Sequence, residues 1–343
     1  MTFGRVKERV PGGRADGEAP RPEAGEAVAV EVAAGEAGSR LDVFLSRAAG
    51  ISRSQAAKAV TAGGVTVNDG PAKASYRLRE GDRVVFRRPR PAPCEVVPED
   101  IPLRVLYEDP HLIVIDKPAG MVVHPAAGNY RGTLVNALLH HCGDLTGIGA
   151  VLRPGIVHRL DKGTSGVLVA AKTEEAHEGL ARQFRDRRVK KVYLALCHGD
   201  PRQEEGIVSL PVGRHPVERK KMSVRSRRGK EAVTRWRVRE RLGDFALLEV
   251  VIETGRTHQI RVHLNAVGHP VVGDAVYGRK GFWRTLPQGD LRRLIQTLGR
   301  QALHAWSLTF SHPWDGRPLT FTAPLPADIE DLLNFLRGRA HGG

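Results

Sequence analysis

The first 27 positions hold almost no large apolar residues and are built mainly of Gly, Pro, Ala, Arg and Glu. Such a segment buries too little surface to offset its ordering entropy, so disorder is expected there. Alternation begins at Val28 and runs to Val32, the pattern of a short strand. From Gly38 the spacing changes: Leu41, Val43, Phe44 and Leu45 suit a short helix beginning near Arg40. Ser52-Arg53-Ser54 offers caps for a second helix, Gln55 to Thr61, which Gly63-Gly64 ends. Val65 and Val67 then alternate into Asn68-Asp69-Gly70, a strand entering a tight turn. Tyr76 to Phe86 holds another turn, Glu80-Gly81-Asp82, and a strand. The expected module, residues 28–88, is a small α+β unit.

Residues 89–100 are Pro-rich, which predicts an extended, semi-rigid linker. A larger domain is expected over 101–338, with a tail at 339–343. Its strand-like runs are Val105 to Glu108, Leu112 to Asp116, Gly166 to Ala171, Lys191 to Cys197, Glu231 to Glu240, Ala246 to Glu253 and Leu303 to Phe310. Its helix-like stretches are Leu134 to His141, Thr173 to Arg187, Arg256 to Val267 and Asp328 to Leu336. No regular strand–helix–strand repeat appears, which favours a mixed, mainly antiparallel α+β sheet. Lys280 to Arg300 reads as a variable insertion or loop.

Charge changes the picture more than composition does. Lys and Arg number 53 against 38 Asp and Glu over 343 residues, a formal net charge of +15. Such an excess points to a polyanion, nucleic acid first and an acidic membrane surface second. It gathers at Arg182 to Lys191 and at Arg214 to Lys230. The latter, between Pro211-Val212-Gly213 and Gly229, reads as a long hairpin arm carrying Arg214, Arg219, Lys220 and Lys221 toward nucleic-acid phosphates. Three cysteines without a C-x-x-C pair suit a reducing cytoplasm, and no apolar run approaches the length of a membrane span.

The chain lacks a G-x-x-x-x-G-K-[ST] loop, a G-x-G-x-x-G turn, an H-E-x-x-H pair and a G-x-S-x-G elbow. Neither His140 with His141 nor His258 with His263 has metal-ligand spacing on a helix. The expectation is therefore no cofactor and no metal. Four polar-rich segments remain. The first is Asp116-Lys117-Pro118-Ala119-Gly120 with Val122-Val123-His124-Pro125. The second is Val157-His158-Arg159-Leu160-Asp161-Lys162-Gly163-Thr164-Ser165-Gly166, a charged loop before an apolar strand and a usual seat for catalysis. The third is Lys190-Lys191-Val192-Tyr193-Leu194. The fourth is Glu253-Thr254-Gly255-Arg256-Thr257-His258-Gln259-Ile260-Arg261-Val262-His263, then Gly273-Asp274 and Tyr277-Gly278; a helix after Gly255 would put Thr257 and Arg261 on one face.

Ser39-Arg40-Leu41-Asp42, Ser52-Arg53-Ser54-Gln55 and Gly64-Val65-Thr66-Val67-Asn68-Asp69-Gly70 resemble an S4 RNA-binding domain. The four polar segments together resemble the RluA family of pseudouridine synthases, in its RluD-type arrangement with an S4 module in front. The resemblance implies a small S4-type domain, with Arg40, Arg53 and Lys58 toward RNA, followed by a pseudouridine synthase domain. It implies cofactor-free isomerisation of uridine in ribosomal RNA of the large subunit, in the cytoplasm, by a monomer. Asp161 matches the family's essential aspartate, acting at C1′ or at the 2′ position. Tyr193 matches the tyrosine that stacks on uracil, and Arg261 the basic partner of the aspartate. Arg159 matches the side chain that fills the space left by a flipped base, whose extrusion costs a few kcal/mol. Ile260 or Val262 would line the uracil slot, with His158, Thr164, Lys117 and His124 as further substrate contacts.

Two other readings compete. A non-catalytic ribosome-assembly factor explains the charge but not the H-R-L-D loop. A hydrolase pairing Asp161 with His158 requires a second carboxylate or a nucleophile elbow.

Overall fold

The computed structural model describes residues 27–49, 53–87, 96–125, 129–143, 145, 155–218, 221–278 and 289–341. The N-terminal segment up to residue 26, linker positions 88–95, Arg219, Lys220 and positions 279–288 of the insertion lie outside the described residues. The chain divides into two units, residues 1–94 and 95–343.

The first unit holds β1 (Ala27–Glu31), α1 (Leu41–Ala48), α2 (Arg53–Thr61), β2 (Val65–Val67), β3 (Gly70–Pro71) and β4 (Arg83–Arg87). The strands form an antiparallel sheet in the order β1-β4-β2-β3. Leu41, Phe44 and Leu45 of α1 pack with Ala56 and Val60 of α2 against Val65, Val67, Val84 and Phe86. Val67 pairs with Gly70, so Asn68 and Asp69 are the two turn residues, with φ of 51° and 61°. Positive φ at both positions matches the twist of the flanking strands, and Asn and Asp tolerate it well. The Asn68 amide ties this turn to the next by donating to Asp82 Oδ1 (2.9 Å) and accepting from Arg83 N (2.8 Å).

The second unit contains β5 (Val105–Glu108), β6 (Leu112–Lys117), α3 (Leu134–Cys142), β7 (Ser165–Ala171), α4 (Glu174–Arg185), β8 (Lys190–His198), β9 (Glu205–Ser209), β10 (Gly213–Arg214), β11 (Met222–Ser223), β12 (Val233–Arg241), β13 (Phe245–Ile252), α5 (Gln259–Ala266), α6 (Asp290–Leu298), β14 (Leu303–Ser311), β15 (Pro318–Thr322) and α7 (Ala327–His341). The main sheet runs β5-β6-β7-β14-β8-β13-β12-β9, with β15 also on β14. Its pairs are antiparallel except β7 with β14, as a mixed α+β sheet requires. The apolar runs of β6 and β7 are continuous because both faces are covered. Ile113, Ile115, Leu168 and Ala170 join the core under α3, α5, α6 and α7, whereas Leu112, Val114, Val167 and Val169 join the core under α4.

Three sequence expectations change here. Residues 97–99 are held to α3 through Glu99 N to Asn136 O (3.0 Å) and Asn136 Nδ2 to Val97 O (2.8 Å), so this end of the linker belongs to the second unit. The insertion closes on a core helix, α6, which buries Leu291, Ile295 and Leu298. Helix α7 continues to His341, into the expected tail.

Candidate active site

Asp161 lies in the loop that feeds β7, and neighbours fix that loop from several sides. Gly120 N donates to Lys162 O (2.8 Å), Arg300 Nη1 donates to Gly163 O (3.1 Å), and Thr164 N closes a turn onto Asp161 O (3.0 Å). Leu160 is buried in the core beneath. Gly120, at φ 86°, completes the Asp116–Gly120 turn, a backbone shape that glycine adopts readily. Lys117 stitches the same turn by donating to Pro118 O (2.7 Å) and Met121 O (2.9 Å).

The T-G-R-T-H-Q-I-R segment is organised around Gln259. Its Oε1 accepts from Thr254 Oγ1 (2.8 Å) and Arg256 N (3.0 Å), and its Nε2 donates to Val233 O (3.0 Å) and Thr234 Oγ1 (3.1 Å). Helix α5 therefore starts at Gln259, after His258 at φ 57°. Thr257 precedes the helix, which corrects the expectation that it shares a helical face with Arg261.

Arg261 Nη1 donates to Asp161 Oδ2 at 2.9 Å. Its fork, however, is taken by Asp274: Nε to Oδ2 at 2.6 Å and Nη2 to Oδ1 at 2.9 Å. The bidentate partner of Arg261 is thus Asp274, whose side chain is 0% exposed against 17% for Asp161, which takes a single hydrogen bond. Burial works against both partners' charges. The Arg261 hydrogen bonds nevertheless hold the Asp274 carboxyl below its ordinary range, and Asp274 followed by Asp161 raises the Arg261 guanidinium. The guanidinium is thereby a fixed cation beside Asp161.

Asp161, Tyr193, Ile260 and Leu303 face a cavity of about 630 Å³. Burial, then the Asp161 charge, pushes the Tyr193 phenol well above the usual tyrosine range, so it stays a neutral ring. The rim is basic: Arg159, Arg185, Arg187, Lys191 and Arg256 all line it. His158, Thr164 and His124 also reach it. His158 Nε2 accepts from Val169 N (3.1 Å) and its ring stacks on Phe184 at 4.6 Å. Burial, then Lys191, lowers its pKa to about 3. The imidazole is neutral with its acceptor nitrogen committed to β7, which removes the hydrolase pairing with Asp161. The Thr164 hydroxyl accepts from Gln301 Nε2 (3.0 Å) and holds the loop.

Two expected contacts do not reach the cavity. Val262 packs with Val212, Ala232 and Tyr277, whereas Ile260 lines the cavity. Lys117 is fully buried with its nitrogen on two carbonyls. Sequence reasoning gave no role to Asp274, His258 or Tyr277. Their only signal was membership of polar motifs, because a contact across 13 residues has no periodicity to announce it.

In the first unit, Arg40 Nε and Nη2 donate to Asp42 Oδ1 (3.0 Å) and Oδ2 (3.1 Å), and Arg53 Nε donates to Oδ2 (3.0 Å). The Arg40 hydrogen bond chiefly, aided by Arg53, holds the buried Asp42 carboxyl at about 2, so one fixed anion orients both arginines. Lys58 lies on α2. Among the described residues, the expected long arm of the second unit shows a short ladder, with Gly213 paired to Ser223 and Arg214 to Met222. A bridge from Val212 to Lys230 closes its base, and Lys221 pairs with Glu218.

The RNA pseudouridylate synthase family matches residues 111–266, and the S4 domain family matches residues 39–84. The chain is 48% identical to ribosomal large subunit pseudouridine synthase D of Zymomonas mobilis, over 76% of this chain and 81% of that one. It is 46% identical to a Synechocystis RNA pseudouridine synthase, over 90% of this chain and 92% of that one. Among solved structures it resembles human RNA pseudouridylate synthase domain containing 1, at 27% identity and a TM-score of 0.51, over 72% of this chain and 97% of that one. The chain belongs to the RNA pseudouridine synthases, with an S4 domain ahead of the catalytic unit. It is an enzyme that isomerises uridine in RNA, and the reading as a non-catalytic assembly factor is set aside.

Proposed function

We propose that this chain modifies uridines of large-subunit ribosomal RNA, acting in the cytoplasm as a monomer, with Asp161 as its essential catalytic group. The observation that carries the reading is the convergence of Asp161, Arg261 and Tyr193 on one basic-rimmed cavity. In the reaction the N1–C1′ bond breaks, the uracil turns, and C5 bonds to C1′. A proton leaves C5 and N1 gains one, so no redox partner is required. Asp161 acts on the ribose, at C1′ or the 2′ position. Tyr193 and Ile260 hold the base, and Arg261 holds the carboxylate in place through its hydrogen bond to Oδ2. Arg159 enters the space left by the extruded nucleotide. The rim arginines and the 214–230 segment, Arg219 and Lys220 included, contact phosphates. Residues 28–88 act as the RNA-binding S4 domain, through Arg40, Arg53 and Lys58, and residues 101–338 as the catalytic domain. Relatives named for large-subunit ribosomal RNA support the target class.

The test uses ribosomal RNA made with C5-tritiated uridine, because C5 loses its hydrogen in the reaction. Wild type should release tritium from large-subunit RNA and not from small-subunit RNA. Asp161→Asn should release none while folding and binding RNA normally. Residual release above a few per cent of wild type removes Asp161 from the role.

A further inference from the structure

We infer that His258 and Tyr277 are positioning residues that, with Arg261, hold Asp161 for reaction; the inference rests on the catalytic role proposed for Asp161. His258 is one of a few described non-glycine residues at positive φ, and that backbone shape turns its ring toward the cavity. Histidine tolerates this region better than most residues, yet it is uncommon enough to suggest a functional constraint. Gln259 enforces the turn through its four hydrogen bonds to Thr254, Arg256, Val233 and Thr234.

The ring stands between two groups. Its Nδ1 is 2.8 Å from Tyr277 Oη, and its Nε2 is 3.9 Å from Asp161 Oδ2. Tyr277 Oη already accepts from Met222 N (2.8 Å), so its own hydrogen is available to Nδ1. The neutral ring then carries its proton on Nε2, facing the carboxylate. The opposite tautomer would turn a lone pair toward an anion, which electrostatics disfavours. Burial favours the neutral ring, against the pull of Asp161. Arg261, Asp274 and Arg159 complete the charged surroundings.

Arg261 Nη1 and His258 Nε2 both approach Oδ2 of Asp161, one from within α5 and the other from just before it. The contact at 3.9 Å is electrostatic and is no hydrogen bond. One hydrogen-bond donor and one electrostatic contact on Oδ2 bias the carboxylate toward one orientation and leave Oδ1 as the oxygen offered to the ribose. Tyr277 sets the tautomer, so it acts on Asp161 through His258. Its edge-to-face contact with His258 at 5.5 Å and the cation–π contact of Arg261 at 5.0 Å put the same phenol against both supports.

The experiment compares His258→Asn, His258→Gln and Tyr277→Phe in the full chain, with Asp161→Asn alongside, using an RNA that wild type modifies. It measures single-turnover tritium release, RNA affinity and thermal unfolding. Asn suits the left-handed backbone but places nothing where Nε2 was; Gln restores an N–H near that point. His258→Asn should slow the chemical step by about 10- to 100-fold, the scale of misplacing a reacting group by about an ångström, with RNA affinity within about twofold. His258→Gln should recover part of the rate, and Tyr277→Phe should lose several-fold in rate alone. Wild-type rates for His258→Asn and Tyr277→Phe, with Asp161→Asn inactive, overturn this inference alone. Loss of rate, affinity and thermal stability together, with no recovery in His258→Gln, also overturns it in favour of a merely structural role. An active Asp161→Asn overturns both the inference and the reading beneath it.

Discussion

Lys117 is 0% exposed, and both of its hydrogen bonds go to carbonyls, which a neutral amine satisfies as well as an ammonium. Burial, then the nearby Arg300 charge, lowers its pKa to about 7. In the unfolded chain it titrates near 10.4. Above that pH both states are neutral; between the two values only the unfolded chain holds the proton. Stability therefore falls by about 1.4 kcal/mol per unit as pH drops through that window, and the loss is complete below the folded value. Lys117→Met has no such proton, so wild type should gain about 2 kcal/mol on it between pH 7 and pH 9 in denaturant unfolding. A difference independent of pH would show that Lys117 is charged when folded. Asp274 tests the other buried charge. Asp274→Asn leaves Arg261 without its bidentate anion, and removing one partner of a buried pair costs about 3–5 kcal/mol. Thermal unfolding should drop accordingly, and tritium release should slow as the guanidinium turns wholly to Asp161. Asp161 and Arg261 were legible because their motifs are specific. Asp274 was not, since nothing in Gly273-Asp274 names the guanidinium it grips.

Strand β7 carries the Asp161 loop, and its seven residues are all buried. An apolar run of that length bounded by a polar loop reads as a strand from sequence alone, as do β6, β8 and β13. Other elements were hidden for local reasons. In β9, Val208 is buried while Ile207 is 59% exposed, the weak signature of an edge strand. In β15 the strand opens on a proline and no residue is fully buried. Helix α6 has apolar residues at 291, 294, 295 and 298, but Arg292-Arg293 and the polar residues between them interrupt the run within a stretch read as an insertion or loop. The pairing of β7 with β14 joins segments some 140 residues apart, and no local pattern encodes it. Gly166 makes that pairing possible. Its φ is 113°, and a Cβ would run into the backbone of Ala305, its ladder partner. No side-chain movement relieves a backbone clash. Gly166→Ala should therefore cost about 3 kcal/mol or more, whereas Gly120→Ala, with open space around it, should cost only the left-handed strain of about 1–2 kcal/mol. Denaturant midpoints of the two variants decide the matter; equal losses would mean that β14 can yield.

At the scale of the whole chain, the +15 charge is what a polyanionic substrate demands, and it is spread over both units. The first unit offers Arg40 and Arg53, oriented by Asp42. The second offers the cavity rim and the 214–230 segment. Each phosphate neutralised releases condensed counterions, so the log of the RNA affinity should fall with the log of salt by roughly 0.7–0.9 per phosphate. Because the units have separate cores, a chain beginning at Glu95 should fold and still isomerise uridine in a short stem-loop. It should bind RNA more weakly and with a salt slope shallower by roughly 0.7–0.9 for each phosphate that Arg40 and Arg53 no longer neutralise. Rate and affinity then separate: the single-turnover rate at saturating RNA should match the full chain, while the concentration needed for saturation rises. A truncated chain with unchanged affinity and slope would take the S4 unit out of RNA binding. A full-length slope near zero would leave the basic rim as a solvated face, and the cavity would then need another means of holding its uridine.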